Sequence, residues 1–148
     1  MSALSSIQHS DIRKVAGNHC LTKVVLAINA GSAATIKTTG TFTFVIDGVY
    51  YTHAALSAQS IAVTHDCFGQ PIGGANLPEY TQPVLTTAYY LVCINAAGTI
   101  AIVQGSYAGQ ALRFADLQRV LTGTGGIPAE PDGYTAIGMF KVALAAAA

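Results

Sequence analysis

The chain has 148 residues, of which only 9% are charged and 51% hydrophobic, and its seven basic and seven acidic residues cancel to zero net charge. Soluble domains carry roughly 25% charged residues, and a surface near neutrality promotes association, so a membrane or a protein neighbour is expected to cover much of this one. A spanning helix needs about 20 consecutive apolar residues, and Val24–Ile28 and the tail from Val142 to Ala148 both fall far short; a membrane barrel needs more alternating ten-residue segments than the chain supplies, so protein neighbours are expected.

The Lys and Arg residues are scattered, with Arg13-Lys14 the one adjacent pair, so no nucleic acid partner is expected. The start Met1-Ser2-Ala3-Leu4-Ser5-Ser6 has no apolar run behind it, so no secretory leader is expected and synthesis is placed in the cytoplasm. Length favours a single β-rich domain over residues 19–148, preceded by an arm over 1–18. Ile7, Ile12 and Val15 are too sparse to mark a helix there, so the arm is expected to be either disordered or laid on a neighbouring subunit.

The run from Cys20 to Asn29 reads as a strand closed by the turn Asn29-Ala30-Gly31. Thr41 to Ile46, then Asp47-Gly48, then Val49 to His53 predict a hairpin. Asp-Gly supplies the positive φ angles of a type I′ turn, with Phe42, Phe44 and Ile46 on one face. A further strand is expected over Ser60–Thr64. Residues 66–83, rich in Gly and Pro, form the longest predicted loop, and such loops tend to be functional or to reach a neighbour.

A second hairpin follows, Ala88–Ile94 returning as Thr99–Gly105 through Asn95-Ala96-Ala97-Gly98. Its first arm is almost continuously apolar, as in a strand covered on both faces. Phe114, Leu117, Val120 and Leu121 repeat at helical spacing, so residues 112–121 are expected to form the one helix, stopped by Thr122 to Gly126. After the rigid turn Ile127–Tyr134, a last strand runs from Thr135 to about Leu144.

Catalytic and metal-binding patterns are missing. His19-Cys20 and His65-Asp66-Cys67 lack the paired spacing of structural zinc ligands, and neighbours on a strand point to opposite faces. Cys67 with His65 or His53 could be drawn as a dyad, but no nucleophile elbow occurs and the acids are dispersed. No enzyme, cofactor or metal is expected, and Cys20, Cys67 and Cys93 are expected to be buried thiols. The candidate interface residues are tyrosines: Tyr50, Tyr51, Tyr89 and Tyr90, whose adjacent pairs place one ring on each strand face, and Tyr80 in the long loop. Tyrosine combines a large apolar body with a polar tip and is enriched at interfaces.

Three segments, taken in order, carry a resemblance: Phe44–Thr52, Tyr90–Thr99 and Ile127–Gly138. Together they resemble small structural proteins of tailed-phage virions, of the capsid-decoration (cement) or head-fibre kind. In that group an Asp-Gly hairpin with a Tyr-Tyr-Thr arm, an Asn-Ala-Ala-Gly-Thr hairpin and an Ile-Pro…Pro-Asp-Gly ending recur in this order. The resemblance spans roughly residues 40 to 142. It implies a mainly β, non-enzymatic protein, expected as an antiparallel sandwich or jelly-roll-like barrel. It also implies a homo-oligomer, a trimer rather than a dimer, seated with the major capsid protein on the capsid surface of a virion assembled in the host cytoplasm. The alternative is a tail or fibre component that binds a receptor, which requires an exposed aromatic or polar pocket rather than buried tyrosine pairs.

Overall fold

A computed structural model describes residues 17–29, 32–73, 81–109 and 127–145. The arm up to residue 16, Tyr80 and the helix expected over 112–121 lie outside these residues. Among the described residues the protein is mainly β, with no helix. Nine strands form three antiparallel three-stranded sheets, none of them closed into a barrel. No helix of the described residues is long and apolar enough to cross a membrane.

The first sheet joins β1 (His19–Cys20), β4 (Phe42–Ile46) and β5 (Val49–His53) in the order β1-β4-β5. The expected hairpin forms its centre. Asp47 and Gly48 take φ values of 49° and 75°, the left-handed pair that twists a two-residue turn to match its strands. Phe42 pairs with His53 and Phe44 with Tyr51, and both pairs stack, at 5.5 and 5.6 Å between ring centroids. Such cross-strand pairs stabilise a hairpin beyond its backbone bonds.

The second sheet, of β2 (Leu26–Asn29), β3 (Ser32–Thr38) and β6 (Gln59–Ser60) in the order β2-β3-β6, corrects two expectations. The run from Cys20 to Asn29 is not one strand. Leu21 N and Thr22 N both donate to Thr43 O, and Thr43 N donates back to Thr22 Oγ1, which turns the chain away from β4. It then re-pairs as β2 (Leu26–Asn29) against β3 (Ser32–Thr38). The strand expected over Ser60–Thr64 is reduced to β6 (Gln59–Ser60) beside β3. Beyond it the backbone changes partner: Ile61 N donates to Ala34 O, whereas Thr64 N and His65 N donate to Ile102 O.

The third sheet is the largest, with β7 (Thr86–Asn95) between β8 (Ile100–Gly109) and β9 (Tyr134–Ala143). The Asn95 side chain closes the hairpin by accepting from Ala97 N and Thr99 N. In keeping with its apolar composition, β7 is covered on both faces. Ala88, Tyr90, Val92 and Ile94 join Phe42, Phe44, Ile46, Ile102 and Ile137 in the main core. Leu91 and Cys93 join Ala101 and Val103 in a second, smaller one.

β9 keeps its apolar residues on the main core by a bulge. Val92 pairs with Gly138 and Cys93 with Ala136, so Ile137 is an extra residue. Because side chains alternate, one insertion reverses the faces of all later residues. Thr135 and Ile137 before it and Phe140 and Val142 after it therefore all point the same way. Gly138 leaves room at this point, since a Cβ there would lie 2.5 Å from Leu26 Cδ1. That contact is where β2 touches β9.

Thr135 is 1% exposed, and its Oγ1 has no hydrogen-bond partner among the described residues. A buried hydroxyl without a partner costs about 1–3 kcal/mol. Thr135→Val keeps the shape and removes that group, so it is expected to stabilise the fold by about 1 kcal/mol, or about 2–4 °C in Tm. A thermal melt that shows no rise, or a fall, contradicts this account of the site.

Candidate functional site

Ten large apolar side chains are exposed among the described residues, and half of them, Ile28, Val84, Leu85, Met139 and Leu144, surround β9 and its C-terminal end. The strand order explains why. β9 is an edge of the third sheet and β2 an edge of the second, and the two separate beyond the Leu26–Gly138 contact. The gap is an apolar groove of about 190 Å³ between Ile28 and Ile36 on one side and Met139 and Val142 on the other. It is continuous, through Ile61, Phe140 and Val142, with a second opening of about 400 Å³ that reaches Tyr90, Val63 and Leu144.

Edge strands usually carry charge or Pro to block association, yet Lys141 is the one charged residue on β9. The rim is also strained. Leu85 has φ 60° and is 50% exposed, and a left-handed backbone is unfavourable for a bulky residue. Its turn is held by Thr86 Oγ1 donating to Pro83 O at 2.6 Å, and Leu144 N donates to Thr86 O. Beneath the rim, Tyr90 OH donates to Gln82 Oε1, Gln104 Nε2 donates to Tyr90 OH, and Gln82 Nε2 donates to the carbonyls of Thr86 and Val142. These buried side chains fix the floor of the opening.

The structure does not gather the candidate tyrosines into one patch. Tyr51 stacks on Phe44, and Tyr90 lies parallel to Phe140 at 5.2 Å in the main core. Tyr50, 72% exposed, is on the outward face of the first sheet. Tyr89 is half-buried on the opposite face of β7 from Tyr90, opposite Lys141 in register. The apolar residues around β9 carry no signal in the sequence. Met139 and Ile28 are 111 positions apart, and no local pattern marks two distant edges that come together.

A third opening, of about 500 Å³, is more polar. It lies between His65 with the first part of the predicted long loop, residues 66–71, and the turn 130–134. Asp66 shapes the loop: its Oδ1 accepts from Phe68 N and Gln70 N, and its backbone N donates to Gln70 O. The backbone N of Gln104 donates to His65 O, anchoring the loop to β8. Gly69, at φ 77°, approaches the facing turn so closely that a Cβ would lie 3.2 Å from Pro131 Cα. In that turn Tyr134 N donates to Pro131 O, and Glu130 Oε1 accepts from Ala136 N.

His65 contacts the edge of the Tyr134 ring at 5.5 Å, and its Nδ1 is hydrogen-bonded to Thr64 Oγ1 at 2.9 Å. Burial pushes the His65 pKa below 6.5, partly offset by the charge of Asp66. A group with a depressed folded pKa takes up a proton less readily folded than unfolded. His65 therefore supports stability above about pH 6.5, and that support is lost as pH falls towards the folded value. Urea midpoints are expected to drop between pH 7 and pH 5, with a smaller drop in His65→Gln. An identical pH dependence in the variant excludes His65 as the source.

None of the three cysteines forms a disulfide, and no group of three or more His, Cys, Asp or Glu residues among those described could hold a metal. Cys93 is buried; Cys20 and Cys67 are only partly so. Burial, reinforced by the charge of Glu130, pushes the Cys93 thiol up to about 12. Since the thiolate is the reactive form, Cys93 is expected to be alkylated at least roughly a thousandfold more slowly in the native protein than in urea. Mass spectrometry of peptides labelled before and after unfolding checks this, and early native labelling of Cys93 contradicts it. Comparison with known proteins finds no matching family model, no matching curated protein and no matching solved structure.

Proposed function

We propose that this chain is a non-enzymatic virion structural protein, a capsid decoration (cement) subunit that binds the shell and further copies of itself. The observation that carries this reading is the exposed apolar surface around the β9 edge. It combines a groove, an edge strand with a single charge and a strained, solvent-facing Leu85. Each is unfavourable in an isolated protomer and favourable once covered, and obligate interfaces resemble a domain core cut in half. The scarcity of charge points the same way. We read the finer architecture as a β-sandwich, because Phe42 and Phe44 of the first sheet share one core with Val92 and Ile94 of the third.

Light scattering of the purified chain tests the self-association, with a homotrimer expected and a stable monomer at high concentration overturning it. Counting copies in purified virions tests the location. A cement is expected in hundreds of copies; a handful per particle replaces the cement reading with the tail or fibre alternative.

A further inference from the structure

We propose that the cleft between residues 65–71 and 130–134 is a binding site for a neutral saccharide, a role separate from self-association and independent of head or tail location. The argument starts from Phe68. Phe68 is 57% exposed, although the loop that carries it is held by the Asp66 hydrogen bonds and the anchor on β8. A ring presented to water on a fixed loop offers a flat apolar platform, which the C–H face of a pyranose covers.

Besides His65 and Tyr134, which also line the cleft, its polar side chains are two carboxylates and one amide. Asp132 and Glu130 line the cleft and are exposed on their turn, and Gln70 lines it from the loop. Carboxylates accept hydrogen bonds only, and an amide both accepts and donates. The matching ligand is therefore rich in donors and carries no negative charge, which describes vicinal hydroxyls. Charge-assisted bonds to carboxylates are the stronger ones. The same carboxylates, with Asp66 behind them, repel phosphate, sialic acid and nucleic acid. A volume of about 500 Å³ falls within the roughly 300–1,000 Å³ of small-ligand sites.

The shape is fixed before any ligand arrives. Gly69 sits against Pro131, Tyr134 N donates to Pro131 O, and the Tyr134 ring is braced by His65. Preorganisation of this kind lowers the cost of binding. The runner-up occupant is a lysine side chain of a protein partner, which an aromatic ring and two carboxylates would also attract.

The test uses the full chain on an array of neutral, sialylated and phosphorylated glycans, with titration calorimetry on the best neutral ligand. Phe68→Ala and Asp132→Asn are each expected to weaken binding about tenfold or more, whereas Tyr50→Ala, an exposed ring elsewhere, leaves it unchanged. Both substitutions are at exposed positions, and unchanged thermal melts confirm that folding is intact. The proposal is overturned if no neutral glycan binds at millimolar concentration. It is equally overturned if binding is indifferent to both variants, or if a lysine-rich peptide binds with this variant dependence while neutral glycans do not compete.

Discussion

If the chain self-associates through the β9 edge as proposed, Ile28→Asp combined with Met139→Glu is expected to leave a folded monomer. Ile28 is 71% and Met139 51% exposed, and both line the groove between β2 and β9. Neither side chain supports the protomer's own core, so the double variant keeps its β-rich circular dichroism and melting temperature. In a covered groove the two carboxylates would be desolvated without partners, which disrupts an interface centre severely. Self-association is expected to weaken by at least about 100-fold, equivalent to about 2.8 kcal/mol at 1.4 kcal/mol per tenfold. Sedimentation velocity across a concentration series reads the change directly. A double variant that assembles like the parent protein places the interface elsewhere and removes the main support for the cement reading.

Phe44→Ala is expected to be the most damaging single truncation of the fold, at about 3–5 kcal/mol. Phe44 is 1% exposed, stacks on Tyr51, contacts Phe42 and belongs to the core shared by the first and third sheets. Native stabilities are commonly about 5–15 kcal/mol, so the variant should unfold at far lower urea or fail to fold at 37 °C. Tyr50→Ala provides the contrast, because Tyr50 projects from the other face of the same hairpin. Its expected cost is within about 1 kcal/mol. A one-residue slip in the pairing of β4 with β5 would exchange the two faces, so a reversed order of the two costs would refute the register itself.

The hairpin that carries both of these residues is legible in the sequence. Thr41 to His53 holds its alternation, its turn residues and its aromatic pairs within thirteen consecutive positions, so local chemistry suffices. The same holds for β7, whose apolar run Ala88–Ile94 announces burial on both faces, and for the closing strand after Pro131-Asp132-Gly133. β3 is not legible. Ser32–Thr38 contains one large aliphatic residue, Ile36, and a lysine, so its apolar alternation is too weak to mark a strand. Its pairing with β2 and β6 arises from contacts that only the folded chain makes. Cys20–Asn29 misleads in the opposite sense. Its composition suits a strand throughout, but Thr22 binds the backbone of Thr43 and divides the run between two sheets.

The candidate sites follow the same division. Tyr50, Tyr51, Tyr89 and Tyr90 are interface candidates by residue type alone, and the structure distributes them between two sheets, with Tyr90 in the core. The length and composition of the 66–83 loop point to a functional or neighbour-reaching segment, and its first residues do line a cleft. The other wall, Glu130 to Tyr134, is about sixty positions away and reads in the sequence only as a rigid turn.

By itself, then, the sequence determined the class of the protein and the demand placed on it. So little charge and such regular strand and turn chemistry specify a β protein whose surface is short of its own solvating groups, because composition and nearest-neighbour geometry are local properties. Only the tertiary structure decided where that surface is. The bulge at Ile137, the contact of Leu26 with Gly138 and the separation of β2 from β9 beyond it depend on long-range pairing. Which apolar side chains remain uncovered depends on which strands end as edges, and no local pattern in the chain encodes that.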